Sequence, residues 1–446
     1  MKRILPLIAV LAVALTGLDS TAPVRAGVAR PNVILIVTDD QAWNTLWAMP
    51  IVQSRLVANG TTFPNAFTPT SLCCPSRATI LTGQYAHTHG VWSNQFPLGG
   101  FHRFDDSSTL ATWLDDAGYR TGLIGKYMNE YDAEDASYVP PGWDRWLGLI
   151  HDAHGSYLDF DVSDEGRLAH NDRDYVTDFL RDEAAEFIRA SAKPFFLYFA
   201  PTAPHMDAIP APRHEGTFSD LQRFRPPSFN EADVSDKPAW LSGTKPLSDE
   251  RVQDLDQLRI DMYETLLAVD EAVGVLLKAT HGEPTIVLFT SDNGFEYGEH
   301  RLRGKNDAYD HTSRIPLVVR EDGVVPGGAV DRRIALNVDL AQTIGSATGV
   351  PTPRAEGLGL FGVETRSDFV IEGAEKGRRP AYCGVRILTH LFVHYATGEE
   401  ELYDYGDDPF ELTNIASSPD SHRDVRLLRR TARSLCDPLP PGLPAF

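Results

Sequence analysis

Apolar runs typical of buried strands alternate along the chain with segments of helical periodicity. The run at 32–38, NVILIVT, is rich in β-branched residues, as expected of a strand buried on both faces. Similar runs lie at 195–199 and 285–290, and each follows a segment whose apolar residues share one helical face. This alternation predicts an α/β fold in which helices flank a mainly parallel sheet.

The pattern changes near the end of the chain, where short strands and turns replace the alternation. Strands are predicted at 381–388 and 391–395, and a basic helix is predicted at 423–435. We therefore divide the chain into a main domain, 31–375, and a small α+β subdomain, 376–446.

Length and composition indicate a large globular protein. The chain has 446 residues, of which 42% are hydrophobic and 23% charged, enough for two domains or for one large domain with an appendage. A proline-rich stretch at 201–246 shows little periodicity. We expect it to form a long surface loop of the kind that shapes a binding site.

The first 26 residues have the three parts of a secretory signal peptide. Lys2 and Arg3 precede an apolar run at 4–15, and a small-residue exit ends at Ala26. The run is shorter than the roughly 20 residues needed to span a bilayer, so we favour export over a single membrane anchor. The expected location is secreted or periplasmic, with no membrane attachment after cleavage.

The chain is strongly acidic, with a formal net charge of −21 at pH 7. Such a surface opposes long-range attraction to nucleic acid and to highly sulfated polyanions. A local basic cleft can still hold a single anion. We therefore expect no nucleic-acid partner.

Polar residues directly after the apolar runs form a candidate metal site. Asp39 and Asp40 follow the first run, and the segment 291–294, SDNG, follows a later one. Each motif alone has a plain structural explanation, because acidic residues solvate strand ends and Asp-Asn-Gly is a common turn. Together Asp39, Asp40, Asp292 and Asn293 supply three carboxylates and an amide oxygen, which suit Ca²⁺ or Mg²⁺.

Three basic side chains lie in comparable positions. Lys126 follows an apolar run at 121–124, His205 follows the run at 195–199, and Lys305 lies in the loop after the third run. Solvated surface lysines and bystander loop histidines are the common alternatives. Because ligands bind beyond the carboxyl ends of the strands in open α/β sheets, we expect these residues to converge on one edge.

The most distinctive segment is Cys-Cys-Pro-Ser-Arg at 73–77, which opens a stretch of helical character. Taken alone, it is also compatible with a buried thiol at a helix start. In chain order with the other motifs, it resembles the set of the type I, formylglycine-dependent sulfatases, which have an alkaline-phosphatase-like fold. The resemblance spans roughly 31–350. It is closest to the branch of the N-acetylglucosamine-6-sulfatases and heparan 6-O-endosulfatases, as indicated by the segments 73–77, 87–89, 125–131, 139–143 and 174–178.

The resemblance implies hydrolysis of a sulfate monoester on a carbohydrate and a role for each matching residue. It identifies Cys73 as the residue that a formylglycine-generating enzyme oxidises and Cys74 as the variable one. The implied ligands of a Ca²⁺ ion, with Mg²⁺ also suitable, are Asp39, Asp40, Cys73, Asp292 and Asn293. The implied residues around the sulfate and the leaving oxygen are Arg77, Lys126, His205 and Lys305, with His205 as the general acid.

Two other functions fit the same residues. A phosphate mono- or diesterase would use the same ion, lysines and nucleophile. A non-catalytic protein that binds an anion or a glycan would instead keep Cys73 as a thiol.

The chain departs from the sulfatase pattern at two places. Many sulfatases carry a histidine where this chain has Met128, so the base that deprotonates the nucleophile is unassigned, and His89 and His170 are candidates. The residues 310–313 also differ from the acidic residues usual in the family.

The four cysteines are interpreted together with the resemblance. If Cys73 is committed to modification, Cys383 and Cys436 make the natural disulfide pair in an exported chain, and Cys74 is left over. This bond would tie the first strand of the subdomain to its last helix. A Cys73–Cys74 disulfide is the competing interpretation, and it would remove the nucleophile.

Overall fold

The computed structural model describes residues 30–133, 135–150, 157–192 and 194–445. The predicted signal peptide, 1–26, lies outside the described residues. The strands are β1 Asn32–Thr38, β2 Thr61–Thr62, β3 Ala66–Phe67, β4 Arg120–Gly125, β5 Arg145–Leu149, β6 Phe160–Asp164, β7 Arg167–Asn171, β8 Phe195–Ala200, β9 Thr285–Ser291, β10 Glu296–Tyr297, β11 Arg303–Gly304, β12 Leu317–Glu321, β13 Ala329–Val330, β14 Ala335–Leu336, β15 Asp368–Gly373, β16 Tyr382–Ile387, β17 His390–Tyr395 and β18 Glu400–Asp404. The helices are α1 Pro50–Arg55, α2 Cys73–Thr82, α3 Ala86–His89, α4 Leu110–Asp116, α5 Val176–Ala190, α6 Ala239–Ser242, α7 Asp249–Ala279, α8 Asp310–Ser313, α9 Asp339–Thr348 and α10 His422–Leu435.

Ten strands form one sheet in the order β13-β2-β12-β9-β1-β8-β4-β5-β6-β7. The central strands β9, β1, β8, β4 and β5 are parallel to one another, and antiparallel strands extend the sheet on both sides. The mainly parallel α/β sheet is therefore confirmed. The strand predicted at 32–38 has the observed bounds of β1, and β8 and β9 each extend one residue beyond their predicted ends.

Side chains of β1 alternate between two hydrophobic cores. Val33 and Leu35 pack on the face covered by α2, α4 and α9, while Ile34 and Ile36 pack on the face covered by α1, α5 and α7. A strand buried on both faces shows a continuous apolar run, because neither face contacts water. The two layers of helices leave the carboxyl edge of the parallel strands open to other side chains.

The second sheet is antiparallel, with the order β15-β16-β17-β18. Its first strand, Asp368–Gly373, comes before the predicted boundary at residue 376, so the predicted first strand, 381–388, is the second strand of this sheet. Helix α10 covers one face, and a disulfide between Cys383 on β16 and Cys436 at the end of α10 joins the two elements. The predicted disulfide is confirmed, although it ties α10 to the second strand of the sheet.

The stretch 201–246 contains one short helix, α6, and is otherwise irregular. It is joined to the rest of the chain by individual contacts and not by a regular strand pairing. One example is the isolated bridge between Phe229 and Glu299. Within the described ranges, no helix combines the length and the apolar character needed to cross a membrane.

Candidate active site

Two acidic motifs meet at the carboxyl edge of the main sheet. Parallel pairing sets Thr38, the last residue of β1, beside Ser291, the last residue of β9. The residues that follow are therefore neighbours, and the Asp40 backbone N–H donates to Asp292 Oδ1 at 3.1 Å. Asp40 has a φ of 66°, which turns the chain sharply at the strand end. The predicted convergence of these two motifs is confirmed by this geometry.

Cys73 is the first residue of α2 and is fully buried. Its Sγ lies 2.9 Å from Lys305 Nζ and 3.7 Å from Asp39 Oδ1. The N-terminus of a helix carries a partial positive charge, which favours an anionic group at this position. Cys73 therefore lies at a helix N-terminus, between a lysine and a carboxylate of the cluster.

Arg77 lies one turn after Cys73 on α2 and is also fully buried. Its Nε donates to Asp292 Oδ2 at 2.9 Å, and its Nη1 donates to the Lys126 carbonyl oxygen at 3.0 Å. Its Nη2 has no hydrogen-bond partner. A buried donor without a partner is costly, so this N–H is available for an oxygen of an anionic ligand.

Two lysines approach the carboxylates from different elements. Lys126, after β4, places its Nζ 2.5 Å from Asp39 Oδ2, and Lys305 Nζ contacts Asp40 Oδ1. The two-stranded pairing of β10 with β11 positions Lys305, since β11 ends one residue before it. With Arg77, these lysines balance the charges of the three aspartates.

The residues present fit a divalent cation. Two overlapping groups of potential ligand atoms occur here. One contains oxygens of Asp39 and Asp40 and a nitrogen of His205, and the other contains oxygens of Asp39 and Asp292 and Cys73 Sγ. Within each group the atoms lie within 4.8 Å of one another. Asp40 Oδ2 and Asn293 Oδ1 are buried and accept no hydrogen bond. Buried oxygens without donors are the ligands that Ca²⁺ or Mg²⁺ takes.

The local charges shift the pKa values of the carboxylates in opposite directions. Burial alone would raise the pKa of Asp39, but Lys126, followed by His205, lowers it well below its usual range. Burial together with the neighbouring Asp39 raises the pKa of Asp292 to about 6, even though Arg77 acts against this shift. A divalent cation between the two would favour the charged form of both carboxylates.

Burial also raises the pKa of the Cys73 thiol, despite the nearby Lys126 and Lys305. An unmodified Cys73 is therefore protonated at neutral pH. Since the thiolate is the nucleophilic form of cysteine, the thiol in this position is a poor nucleophile.

His205 lies after β8 and faces the same carboxylates. Its Nε2 is 3.8 Å from Asp40 Oδ2, and its Nδ1 contacts the Met206 carbonyl oxygen. An Nδ1–H that donates to this carbonyl leaves Nε2 directed at the site as the atom that takes or gives a proton. Burial lowers the pKa of His205, in spite of Asp39 and Asp40.

Cys74 occupies a different environment from Cys73. Both cysteines are free thiols, so the competing Cys73–Cys74 disulfide is not formed. Cys74 Sγ accepts from the Asn129 backbone N–H at 3.1 Å and lies 3.2 Å from Asn129 Oδ1. The Cys74 backbone N–H donates to Asn94 Oδ1 at 2.9 Å. These contacts of Asn94 and Asn129 were not expected from the sequence, because Asn94 lies outside the motifs and Asn129, although it lies in the segment 125–131, has no role implied by the resemblance.

The two candidate bases do not lie in the cluster. His89 accepts a hydrogen bond from the Val91 N–H at Nδ1, and its Nε2 lies 3.1 Å from Thr79 Oγ1, so both ring nitrogens are engaged. His170 is exposed on β7, at the far edge of the sheet, and pairs with Asp161 at 2.8 Å. The structure therefore contradicts both candidates, since neither ring faces Cys73.

The segment 310–313, which departs from the sulfatase pattern, forms α8 and packs against the part of the site that contains Asn293. Asp310 holds Arg314 through two contacts of 2.8 and 2.9 Å and holds Arg386 of the second sheet at 3.1 Å. The segment packs against Gly294, where a Cβ atom would lie 2.2 Å from the His311 carbonyl oxygen. Only glycine allows this close approach next to Asn293.

The fold and the site define a class of protein, an alkaline-phosphatase-like α/β protein with a buried cluster of carboxylates, able to hold a cation, at the carboxyl edge of its sheet. The family model "Sulfatase" matches residues 31–350. The chain belongs to the sulfatase family.

The most similar relatives include proteins of known name. The chain is 34% identical over 343 residues to the extracellular sulfatase SULF-1 homolog of Drosophila melanogaster, covering 73% of this chain and 30% of the relative. It is 29% identical over 475 residues to the N-acetylglucosamine-6-sulfatase of Homo sapiens, covering 92% of this chain and 86% of the relative. The chain spans less than half of the Drosophila relative and 48% of the SULF-1 homolog of Caenorhabditis elegans.

Solved structures share the fold. BT4656, solved in complex with its substrate D-glucosamine-2-N,6-O-disulfate, superposes with a TM-score of 0.78 at 26% identity, covering 92% of this chain and 98% of the other. The phosphonate monoester hydrolase of Agrobacterium radiobacter has a TM-score of 0.72 at 23% identity, covering 92% of this chain and 96% of the other.

Proposed function

We propose that this protein hydrolyses a sulfate monoester on a carbohydrate, using a formylglycine derived from Cys73 and a divalent cation, with Ca²⁺ preferred. The observation that carries the proposal is the position of Cys73 at the start of α2, with its Sγ 2.9 Å from Lys305 Nζ and 3.7 Å from Asp39 Oδ1. The residues that would hold the cation are Asp39, Asp40, Asp292, Asn293 and the modified Cys73.

Charge neutralisation is the first task of such a site. Sulfate oxygens repel an incoming nucleophile, so they must be bound by cations before attack. Arg77 and Lys126 are buried cations and Lys305 is a partly buried one. Arg77 Nη2, which has no hydrogen-bond partner and lies 3.8 Å from Asp39 Oδ2, provides a directed donor. Because Nε and Nη1 of Arg77 already donate to Asp292 and to the Lys126 carbonyl, Nη2 is the guanidinium nitrogen left to donate to a sulfate oxygen.

The site must also supply a nucleophile. The protonated Cys73 thiol is unsuited to this role, and a thiolate would form a stable adduct with sulfur. Conversion to formylglycine would supply a hydrate with one hydroxyl for attack and a second for release of sulfate. A divalent cation held by Asp39, Asp40, Asp292 and Asn293 would help to neutralise the sulfate oxygens. Maturation would require a formylglycine-generating enzyme as a partner.

The leaving oxygen of a sugar needs a proton, because an alkoxide leaves poorly. His205 is the candidate acid, since its Nε2 faces the site while its Nδ1 is held by the Met206 carbonyl. An anionic substrate beside the ring would favour the protonated form.

Sulfated glucosamine is the substrate class that we propose. The named relatives include N-acetylglucosamine-6-sulfatases, and the BT4656 structure contains a sulfated glucosamine. The extracellular sulfatase relatives also support a secreted or periplasmic location.

Two measurements test the proposal. Mass spectrometry of the peptide that contains Cys73, after coexpression with a formylglycine-generating enzyme, should show the loss of the thiol. The matured protein should then hydrolyse a sulfate ester faster than a phosphate ester with the same leaving group. An intact thiol together with full activity, or a preference for the phosphate ester, would refute the proposal.

A further inference from the structure

Helix α10 presents an unusual surface for a strongly acidic protein. Arg423, Arg426, Arg430 and Arg433 are all exposed, and we call these four side chains the arginine stripe. Their spacing places them within an arc of about 80° on one face of the helix, over about 15 Å along its axis. The stripe therefore concentrates positive charge in a chain whose formal net charge is −21.

Three of the four arginines in the stripe are not balanced by nearby carboxylates. Among the described residues, Arg423, Arg426 and Arg430 form no ion pair, whereas Arg429, about 40° from Arg433 and just outside the arc, pairs with Glu400 at 2.5 Å. Asp424 lies about 100° around the helix from Arg423, outside the arc. The three cations are therefore available for an external anion.

The opposite face of α10 holds the stripe in a fixed position. Val425, Leu428 and Ala432 are buried in the core of the second sheet. The disulfide of Cys436 to Cys383 anchors the end of the helix to β16. Because the backbone of the helix is fixed, binding a row of anions has to order only the arginine side chains.

The stripe lies on the far side of the second sheet from the candidate active site. Side chains of one sheet face, including Cys383 and Val385, pack under α10. Side chains of the other face, including Tyr382 and Val393, pack with Tyr309, four residues after Lys305. The stripe is thus a surface separate from the cluster around Cys73.

We propose that the arginine stripe is a docking surface for a sulfated polysaccharide. The geometry matches a linear polymer with closely spaced anions, and binding away from the active site would keep the enzyme close to successive sulfate groups on one chain.

Two other classes of polyanion fit the surface less well. An anionic membrane is held by apolar insertion as well as by charge, and the apolar face of α10 is buried in the protein, which leaves Leu427 as an exposed hydrophobic side chain beside the stripe. Proteins that bind single-stranded nucleic acid combine cations with exposed aromatic rings, and the α10 sequence HRDVRLLRRTARSL contains no Phe, Tyr or Trp. The stripe therefore offers mainly positive charge to a ligand, which suits a sulfated polysaccharide.

The test compares two triple variants of equal net charge in the full chain, each carrying Cys73→Ala to prevent turnover. The stripe variant is Arg423→Gln, Arg426→Gln and Arg430→Gln. The control variant is Arg55→Gln, Arg189→Gln and Arg332→Gln, three exposed arginines on separate elements. Heparin is the probe, and affinity and elution salt are measured beside those for oligo(dT) and phosphatidylserine vesicles.

We expect the stripe variant to bind heparin about tenfold more weakly than the parent, with a smaller salt dependence, and the control variant to bind as the parent does. Equal losses in both triple variants, or tighter binding of the parent to oligo(dT) or vesicles, would overturn the proposal. Because the binding assay uses no turnover, its result stands even if the protein proves to lack sulfatase activity. In the active protein, the stripe substitutions should leave hydrolysis of a small aryl sulfate unchanged.

Discussion

At the scale of single residues, adjacent cysteines have different expected roles. We expect Cys73→Ala to abolish turnover with little effect on stability, because its Sγ lies among the charged groups of the site. Cys74→Ala should keep most of the activity and lose about 1 to 3 kcal/mol of unfolding free energy, since it leaves the buried Asn129 N–H without its acceptor. Steady-state kinetics and urea unfolding measure both effects. A dead Cys74→Ala enzyme would mean that the reactive cysteine is assigned to the wrong position.

The carboxylates should control metal affinity. Asp40→Asn removes a charge from a site in which Asp40 Oδ2 has no protein donor, so half-maximal activity should require at least about tenfold more Ca²⁺. Chelation should inhibit the native enzyme, and added Ca²⁺ should restore it. Asp322→Asn, an exposed aspartate paired with Arg320, is the matched control and should not change the Ca²⁺ requirement. Full activity after metal removal would exclude this metal site.

His205 should matter most for poor leaving groups. His205→Ala removes the imidazole that faces the carboxylates through Nε2. The loss of kcat/KM should be about 10²- to 10⁴-fold on an alkyl or sugar sulfate and much smaller on a nitrophenyl sulfate, because nitrophenolate leaves without protonation. Equal losses on both substrates would indicate that His205 binds sulfate and does not donate a proton.

At the scale of elements, the disulfide between β16 and α10 gives a stability prediction. The double variant Cys383→Ser and Cys436→Ser opens a loop with a sequence separation of 53. Loop entropy predicts a loss of about 4 kcal/mol. Thermal unfolding should shift to lower temperature, while kcat/KM at 25 °C should change little because Cys73 and its neighbours lie across the second sheet. If kcat/KM at 25 °C fell strongly while the protein remained folded, this subdomain would take a direct part in the reaction.

The elements that could be predicted are those with a long local pattern. β1, α5 and α10 were recognised because burial imposes a continuous or periodic apolar sequence on them. The pairing of β10 with β11 was missed, although it positions Lys305, since two-residue strands leave no periodic signal. The predicted subdomain, 376–446, also omits the first strand of the second sheet, β15.

At the scale of the whole molecule, the residues of the site could be named from the sequence but their contacts could not. Asp40 and Asp292 are 252 positions apart, and no local pattern records the hydrogen bond between them. The rule that ligands gather at the carboxyl ends of parallel strands was sufficient to predict the convergence. The candidate bases His89 and His170 were wrong, because their sequence positions gave no information on which way each ring points.

A buried histidine joins three parts of the molecule and gives a pH prediction. His300 Nδ1 lies 2.6 Å from Glu231 Oε2 of the stretch 201–246, and its Nε2 lies 3.9 Å from Glu411 Oε2 of the C-terminal region. Burial alone would lower the pKa of His300, but the hydrogen bond to Glu231, followed by Glu411, raises it from 6.5 to about 9. The folded state therefore binds the proton more tightly than the unfolded chain does.

The sign of the effect follows from this difference. The stabilisation is complete below pH 6.5 and is lost as the pH rises through about 9. We expect the unfolding free energy of the native protein to fall by on the order of 3 kcal/mol over this interval. His300→Gln should be less stable at pH 6 and should show a flatter profile between these values. His422→Gln, which changes an exposed histidine at the start of α10, should keep the native profile. Urea unfolding at several pH values measures all three proteins, and an unchanged slope in His300→Gln would show that the pH dependence arises elsewhere.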